Sequence, residues 1–334
     1  MSVLDRFLDL EHAFDSNISL LLVALVGGVL ALSLPAIVLV CRGRAADDKL
    51  RVELWQRWRS WVFISPCIVV PILAGPGWTV VAVAVLSLLC YAEFARATGL
   101  FREKLLSLLV VLSVLALNFA ALDNWYGLFV ALFPLTVGVL AVGTIVQDSP
   151  KGYLQRTALA ILGYALFGAG LAHLAFFSNE PGYRPVLLLL FFAVELNDIF
   201  AFCVGKTLGR HKLAPHTSPG KTIEGSLGAL VLTTGVVVGF GRVVFAGSAM
   251  ESWPLLVLLG VMVSALGQLG DLTLSSIKRD LGIKDMSATI PGHGGILDRF
   301  NSMLLVAPAV FHLLNYVLPG IGQAQAQRLM TGAG

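Results

Sequence analysis

The chain has 334 residues, of which 57% are hydrophobic and only 13% are charged. This charged share is about half that of an average soluble domain, so there are too few polar residues to cover a water-soluble globule of this size. The composition therefore excludes an ordinary soluble protein and a disordered chain, and it favours an integral membrane protein. The net charge of +3 gives no support for nucleic acid as a partner.

The hydropathy of the chain predicts an all-α polytopic membrane protein with about ten spanning helices. Each such helix needs about 20 mostly apolar residues, because every backbone N–H and C=O must be paired within the segment. The predicted segments cover residues 18–41, 61–75, 78–97, 105–121, 128–146, 157–177, 186–206, 226–247, 254–275 and 300–318. The second is short and contains Pro66 and Pro71, so nine spans with a re-entrant segment remain an alternative.

The basic residues predict how the helices are oriented. Nineteen of the 23 Lys and Arg residues lie in every second connection, namely 42–60, 96–104, 147–156, 206–224 and 276–299. Positively charged loops remain in the cytoplasm. We therefore expect these loops on the cytoplasmic side of the membrane, with the lipid bilayer around the helices and both termini outside.

We expect one integral membrane domain, because no polar connection is long enough to form a soluble domain. Within it, residues 1–185 would form the N-terminal transmembrane helices and residues 186–318 the C-terminal catalytic region. Residues 319–334 would form a short external tail.

Five ionisable residues interrupt the apolar segments, and such residues usually face a cavity or a partner. They are Glu93, His173, Glu195, Asp198 and Asp271. Glu93 lies beside Arg96 near the end of its span, which favours an interfacial ion pair. His173 stands among apolar residues, which favours a hydrogen-bonded structural role. Asp198 and Asp271 each lead into a polar cytoplasmic loop, and two carboxylates beside a basic surface favour a bound cation.

The loop after Asp198 contains the run Ser-Pro-Gly-Lys-Thr, in which Ser218, Lys221 and Thr222 stand directly before a predicted helix. This is not a P-loop, because the first glycine of that motif would fall at Pro215 and a membrane helix replaces the preceding strand. The free N–H groups at a helix start still favour a phosphate. We therefore expect phosphate contact in this loop.

The loop after Asp271 contains several basic residues, a Pro-Gly-His-Gly-Gly turn and an Asp-Arg pair. Backbone amides of a Gly-Gly turn and Lys and Arg side chains bind phosphate oxygens. Asp298 returns a carboxylate to the same membrane face, so Asp271 and Asp298 could hold Mg²⁺, which prefers one or two carboxylates with water and substrate phosphates. These features predict phosphoryl or nucleotidyl transfer to or from a lipid. The alternative from another class is a cation-coupled transporter, although no inverted repeat is visible.

The same segment resembles the signature of the bacterial CDP-diacylglycerol synthase family, also called phosphatidate cytidylyltransferase. The matching residues are Ser275, Lys278, Arg279, Lys284, Asp285, Ser287, Pro291, His293, Gly294, Gly295, Asp298 and Arg299. The stretches at 218–222 and 270–271 also resemble the family, so the resemblance covers roughly residues 190–305.

Two positions depart from the family pattern. Its closing Asp is Asn301 here, and the residues after Asp198 lack the hydroxyl, glycine and tyrosine that usually follow. A related nucleotidyltransferase that acts on another lipid phosphate is therefore a second alternative.

The resemblance implies an enzyme that makes CDP-diacylglycerol and pyrophosphate from CTP and phosphatidic acid in phospholipid biosynthesis, as a homodimer. It implies Mg²⁺, with a second cation as an option, held by Asp271, Asp298 and Asp198. The implied catalytic residues are Asp271, Asp298, Lys278 and Arg279. The implied substrate-binding residues are Ser218, Lys221, Thr222, Lys284, His293, Gly294, Gly295 and Arg299.

Overall fold

The computed structural model describes residues 5–7, 9–42, 48–146, 148–290, 294–318 and 328–332. This part of the chain is mostly helical, and helices lie at all ten predicted places. Their bounds are α1 Asn17–Arg42, α2 Asp48–Ala74, α3 Pro76–Thr98, α4 Lys104–Leu122, α5 Tyr126–Ile145, α6 Tyr153–Gly163, α7 Leu171–Phe177, α8 Tyr183–Leu208, α9 Ile223–Val244, α10 Trp253–Asp280, α11 Leu297–Phe300 and α12 Met303–Val317. The prediction of an all-α polytopic membrane protein is confirmed.

Among the described residues, eight helical segments are long and apolar enough to cross a membrane, and α12 is a shorter apolar helix. Helix α2 is not among the eight, since its first half is charged. It nevertheless runs as one helix through Pro66 and Pro71, whereas the re-entrant alternative would need a break there.

The two terminal segments of the described chain meet the same end of the helical bundle. Arg6 Nη1 donates to the carbonyl oxygen of Leu122, and the backbone N–H of Met330 donates to Asp123 Oδ1 over 2.5 Å. A chain that starts and ends on one side crosses an even number of times. The arrangement therefore fits ten crossings better than nine.

The C-terminal helices form a connected layer in which α8 packs on α9, α9 on α10 and α10 on α12. The N-terminal layer is joined to it through α3, which contacts α4, α7 and the short helix α11. Large apolar side chains such as Leu32, Phe63 and Val231 point outward. Lipid needs no polar cover, so this exposure is what a membrane protein requires.

A π-helical segment, Tyr164–Gly170, connects α6 to α7. Gly170 lets α12 approach closely, because a Cβ there would lie 2.9 Å from the carbonyl oxygen of Leu304. One turn later, His173 Nδ1 lies 2.7 Å from the carbonyl oxygen of Ala169. The predicted structural role of His173 is confirmed.

A short antiparallel hairpin, β1 Lys212–Ala214 and β2 Ser218–Thr222, occupies the loop between α8 and α9. No pattern in the sequence predicts this hairpin. The Thr222 hydroxyl accepts a hydrogen bond from the N–H of Gly225 over 3.1 Å and so caps the start of α9. Helix α9 therefore begins at Ile223 rather than at residue 226.

Candidate active site

The hairpin and α10 meet at an ion pair between two of the predicted site residues. Lys221 Nζ lies 2.6 Å from Asp271 Oδ2. The other carboxylate oxygen of Asp271 accepts a hydrogen bond from Asn301 Nδ2, also over 2.6 Å. Asn301 therefore takes a neutral, hydrogen-bonding place beside Asp271, where the family pattern has a second carboxylate.

The small residues around Asp271 allow this close contact. A Cβ at Gly270 would lie 2.5 Å from the carbonyl oxygen of Asn301, so only glycine lets the chain after α11 approach α10 here.

Asp298 has a different set of partners. Its Oδ1 lies 2.7 Å from Lys278 Nζ, and its Oδ2 accepts the backbone N–H groups of Met286 and Gly295, both over 2.9 Å. The Asp298 side chain is only 3% exposed. Asp298 thus fastens Met286 and Gly295 in the segment between α10 and α11, whose described residues 281–290 and 294–296 we call the signature loop.

The structure does not bring the three predicted metal-binding carboxylates into one cluster. Within the described residues, no group of three or more His, Cys, Asp or Glu side chains is placed to hold a metal ion. Asp198 lies within electrostatic reach of Asp271, Lys221 and Arg299, whereas Asp298 belongs to the ion pair with Lys278. The Mg²⁺ site stays a prediction.

A cavity of about 1000 Å³ opens beside this cluster. Its ionisable lining includes Arg57, Glu195, Asp198, Lys284, Asp285 and Arg299. The Lys284 side chain is exposed. In the described part of the chain, the buried Nε of Arg299 has no hydrogen-bond partner. An unpartnered guanidinium donor beside a cavity fits an anion, because arginine binds phosphate oxygens strongly.

Arg279, predicted as catalytic, contacts backbone carbonyls. Its Nε donates to Thr217 over 3.2 Å and its Nη1 donates to Ile283 over 3.1 Å. It therefore connects the hairpin to the signature loop.

The remaining predicted binding residues differ in their burial and in their contacts. Ser218 begins β2 half-buried, and the hydroxyl of Thr222 is used as the cap of α9. Gly294 has a φ of +82°, a backbone conformation that favours glycine. His293 lies outside the described residues.

Glu93 is a site residue that sequence reasoning missed. It makes no ion pair with Arg96 in the described structure, so the predicted interfacial pair is wrong. Instead its carboxylate accepts hydrogen bonds from the Ser287 hydroxyl over 2.6 Å and from the N–H groups of Ile296 and Leu297 over 3.0 and 2.9 Å. The only available signal was a carboxylate inside an apolar span.

A second, mostly apolar cavity of about 780 Å³ lies between α2, α3 and α8. It extends from Ile72, near the end of α2, to Ile290 in the signature loop. Ile68, Phe191 and Ile290 line both cavities, so the apolar space adjoins the polar one.

The profile of the family described as "Cytidylyltransferase family" matches residues 55–317. The chain belongs to this family. The match is wider than the resemblance at residues 190–305 and includes Glu93 and the whole lining of the apolar cavity, whereas α1 and Leu54, which also line the larger cavity, lie before it. This cytidylyltransferase is a membrane-embedded nucleotidyltransferase, an enzyme that uses CTP and a lipid substrate.

Individual relatives agree with the family match. The phosphatidate cytidylyltransferases of Staphylococcus haemolyticus and Staphylococcus epidermidis are each 33% identical over 260 and 261 residues, which is 76% of this chain and 95% of each relative. The uncharacterized protein YnbB of Escherichia coli is 30% identical over 271 residues, which is 79% of this chain and 88% of the relative.

Proposed function

We propose that this cytidylyltransferase transfers a cytidylyl group from CTP to phosphatidic acid and releases CDP-diacylglycerol and pyrophosphate. The observation that carries the proposal is the pair of adjoining cavities. The polar cavity has carboxylates and cations for a nucleotide and its phosphates, and the apolar cavity offers space for acyl chains.

The reaction does not require a strong general acid or general base from the protein. A phosphate oxygen of the lipid forms a bond to the α-phosphorus of CTP, and the bond from that phosphorus to the bridging oxygen of the β-phosphate breaks. Pyrophosphate leaves with the electron pair. The attacking phosphate monoester has a second pKa of about 6, so it is mostly a dianion at neutral pH and needs no general base. Catalysis therefore comes from positioning and charge neutralisation.

The described cations have distinct parts in this reaction. Arg299, with its unpartnered Nε, and the exposed Lys284 would bind phosphate oxygens in the polar cavity. Lys221 would exchange its contact with Asp271 for a phosphate when CTP enters, since both are charge-assisted bonds.

The residues present fit Mg²⁺ with two carboxylates rather than three. Asp271 and Asp198 are near enough to interact electrostatically, and oxygen ligands of this kind suit the ion. Bound there, Mg²⁺ would neutralise the phosphates of CTP. Asp298, the third predicted ligand, would first have to give up Lys278.

The membrane side follows from the basic loops. The predicted connections 206–224 and 276–299, which contain the hairpin and the signature loop, carry eight of the 19 basic residues in the predicted cytoplasmic connections. The site would then face the cytoplasm, where CTP is available, with both termini on the other side of the inner membrane. The homodimer that the resemblance implies remains a prediction.

The test is an assay with purified protein in detergent, Mg²⁺, labelled CTP and phosphatidic acid, with lipid-bound nucleotide as the readout. We expect labelled CDP-diacylglycerol. Diacylglycerol without a phosphate is the matched control and should give no product. Product with another phosphate lipid and none with phosphatidic acid would favour the second alternative, for which the neutral Asn301 is the specific observation. No product with any phosphate lipid would overturn the proposal.

A further inference from the structure

Glu93 connects the N-terminal helices to the signature loop. It lies in the last two turns of α3, is only 4% exposed and contacts residues about 200 positions further along the chain. All three of its hydrogen bonds go to the signature loop or the start of α11.

These bonds engage both oxygens of a charged group and use three of its about four accepting positions. Oε1 accepts the Ser287 hydroxyl and the N–H of Ile296, and Oε2 accepts the N–H of Leu297. Bonds to a carboxylate are about twice as strong as neutral ones. The N–H groups belong to residues that open α11, which have no partner within the helix. Glu93 therefore supplies the hydrogen-bond acceptors that these backbone N–H groups lack within the helix.

Glu93 and Asp298 together close the signature loop at both ends. Asp298 holds the N–H groups of Met286 and Gly295, and Glu93 holds the neighbouring residues at 287, 296 and 297. The two carboxylates thus bind residues 286 and 287 in the first part of the loop and residues 295–297 where the loop ends. The position of Arg299, two residues beyond Leu297, thus depends on both carboxylates.

Gly295 provides an independent observation. A Cβ at this position would lie 2.4 Å from Glu93 Oε2, so the carboxylate would have to move and lose its hydrogen bonds to the loop. The second glycine of the Gly-Gly turn is therefore required by the carboxylate of Glu93, in addition to any phosphate that the turn binds.

We propose that Glu93 is a positioning residue for cytidylyl transfer, which fixes the signature loop so that Arg299 faces the polar cavity. The inference rests on the proposed function for its kinetic part. Glu93 lines neither of the two cavities, so it is not placed to touch the substrate itself.

The first experiment compares Glu93→Gln with Glu103→Gln. Glu103 is a carboxylate just beyond the same end of α3 that pairs with Arg156 over 3.6 Å, outside the site. The side-chain amide of Gln has an N–H group where the carboxylate has an accepting oxygen. This group would face the N–H donors of the loop, so the loop shifts. We expect kcat to fall about 10- to 100-fold and KM for CTP to rise, since small misplacements of reacting groups are costly. Glu103→Gln should change neither.

Backbone hydrogen exchange separates positioning from activity. In Glu93→Gln the amides at 295–297 should exchange faster, while those of α5 should keep their wild-type rates. If the wild type turns over no phosphate lipid, the proposed function fails, and the exchange rates still decide whether Glu93 holds the loop. Unchanged exchange at 295–297, or a faster exchange with wild-type kcat and KM, would overturn the proposal.

Milder variants cover the case in which Glu93→Gln does not fold. Ser287→Ala removes one of the three bonds and should lower kcat less than Glu93→Gln. Gly295→Ala should be severely impaired in the wild-type background and less so beside Glu93→Asp, whose carboxylate is one methylene shorter. Strictly additive effects of the two substitutions would contradict the contact.

Discussion

Buried charges occur at both ends of the helical bundle, but the two ends use them differently. At the terminal end, where α3 and α8 begin, Arg184 Nη2 pairs with Asp9 Oδ2 at 2.6 Å, and Asp123 accepts the N–H of Met330 at 2.5 Å. These contacts fasten the terminal segments to the helices. None of these residues lines either of the two cavities described above.

At the signature end, where α3 and α8 finish, charged side chains near the ion pairs line a cavity. Asp198 lines the polar cavity and interacts with Lys221 and Asp271, and Arg299 contributes an unpartnered donor. A buried ion pair alone therefore indicates only that two segments of the chain are held together. A cavity lined by charged side chains beside such pairs indicates a reaction site, whereas an unpartnered guanidinium Nε alone does not, because Arg184 at the terminal end has one as well as Arg299.

The strongest contrast should come from removing one carboxylate at each end. Asp271→Asn should lower CTP turnover at least about 10²- to 10³-fold, because it removes a charge that faces the reacting phosphates. Asp9→Asn removes a carboxylate of similar burial from the terminal end and should leave turnover within about twofold. Initial rates of lipid-bound nucleotide formation measure both. Equal losses in the two variants would break the distinction between the ends.

A smaller contrast is expected for the two arginines. Arg299→Lys keeps the charge but loses the directed Nε–H, so kcat/KM for CTP should fall about tenfold, and Arg299→Gln should cost about 100-fold. Arg184→Lys at the terminal end is the matched control. A kcat/KM that falls as much in Arg184→Lys as in Arg299→Lys would contradict the assignment of Arg299 to phosphate binding.

The substitution Asn301→Asp tests whether a cation binds near Asp271 at the signature end. The new carboxylate would lie against Asp271, whose Oδ1 is now 2.6 Å from the Asn301 amide, and two such charges repel unless a cation joins them. We expect turnover to fall about tenfold at low Mg²⁺ and to recover as Mg²⁺ is raised. A titration of the rate against Mg²⁺ concentration measures the shift. Identical titrations for variant and wild type would argue against a cation near Asp271.

The smallest effect on activity is expected at Asp123. Burial raises the pKa of its carboxyl, but hydrogen bonds from Thr331, Met330 and Leu329 outweigh burial, so the pKa lies below its ordinary value. The stabilisation is therefore complete above the ordinary pKa and is lost only as the pH falls through the lower folded pKa, below about pH 4. Unfolding midpoints in detergent should show this acid loss for wild type and less of it for Asp123→Asn.

Asp123→Asn should also free the C-terminal segment. Arg328 lies over the Trp125 ring at 4.5 Å, which protects it. Trypsin should cleave after Arg328 faster in the variant at neutral pH, with turnover of CTP within about twofold of wild type. Unchanged cleavage would show that other contacts hold the segment.

Much of the fold was predictable because the bilayer imposes one rule on every span. Apolar runs of sufficient length located helices at all ten places, and the basic loops alternate between them. The hairpin at 212–222 escaped prediction, since its strands are short, polar and without alternation. The continuity of α2 through Pro66 and Pro71 was also open, because a kinked helix and a broken one share the same sequence.

The sequence predicted which residues belong to the candidate site, but not which of them bind one another. The motifs identified Lys221, Asp271 and Arg299 as candidate residues, and the structure shows Lys221 paired with Asp271 and both within electrostatic reach of Asp198, as Arg299 is. The partners of Asp298 and Glu93 are mostly backbone N–H groups, which every residue carries, so no side-chain pattern reveals them. The contacts of Glu93 also join segments about 200 positions apart.

The central claim is that the signature end transfers the cytidylyl group to a lipid phosphate. CTP labelled at the α-phosphorus and CTP labelled at the γ-phosphorus, each incubated with purified protein, Mg²⁺ and phosphatidic acid, test it most directly. The account predicts that the α-label appears in lipid and the γ-label in pyrophosphate, and that Asp271→Asn abolishes both. The appearance of γ-label in lipid, or the release of pyrophosphate without labelled lipid, would contradict it.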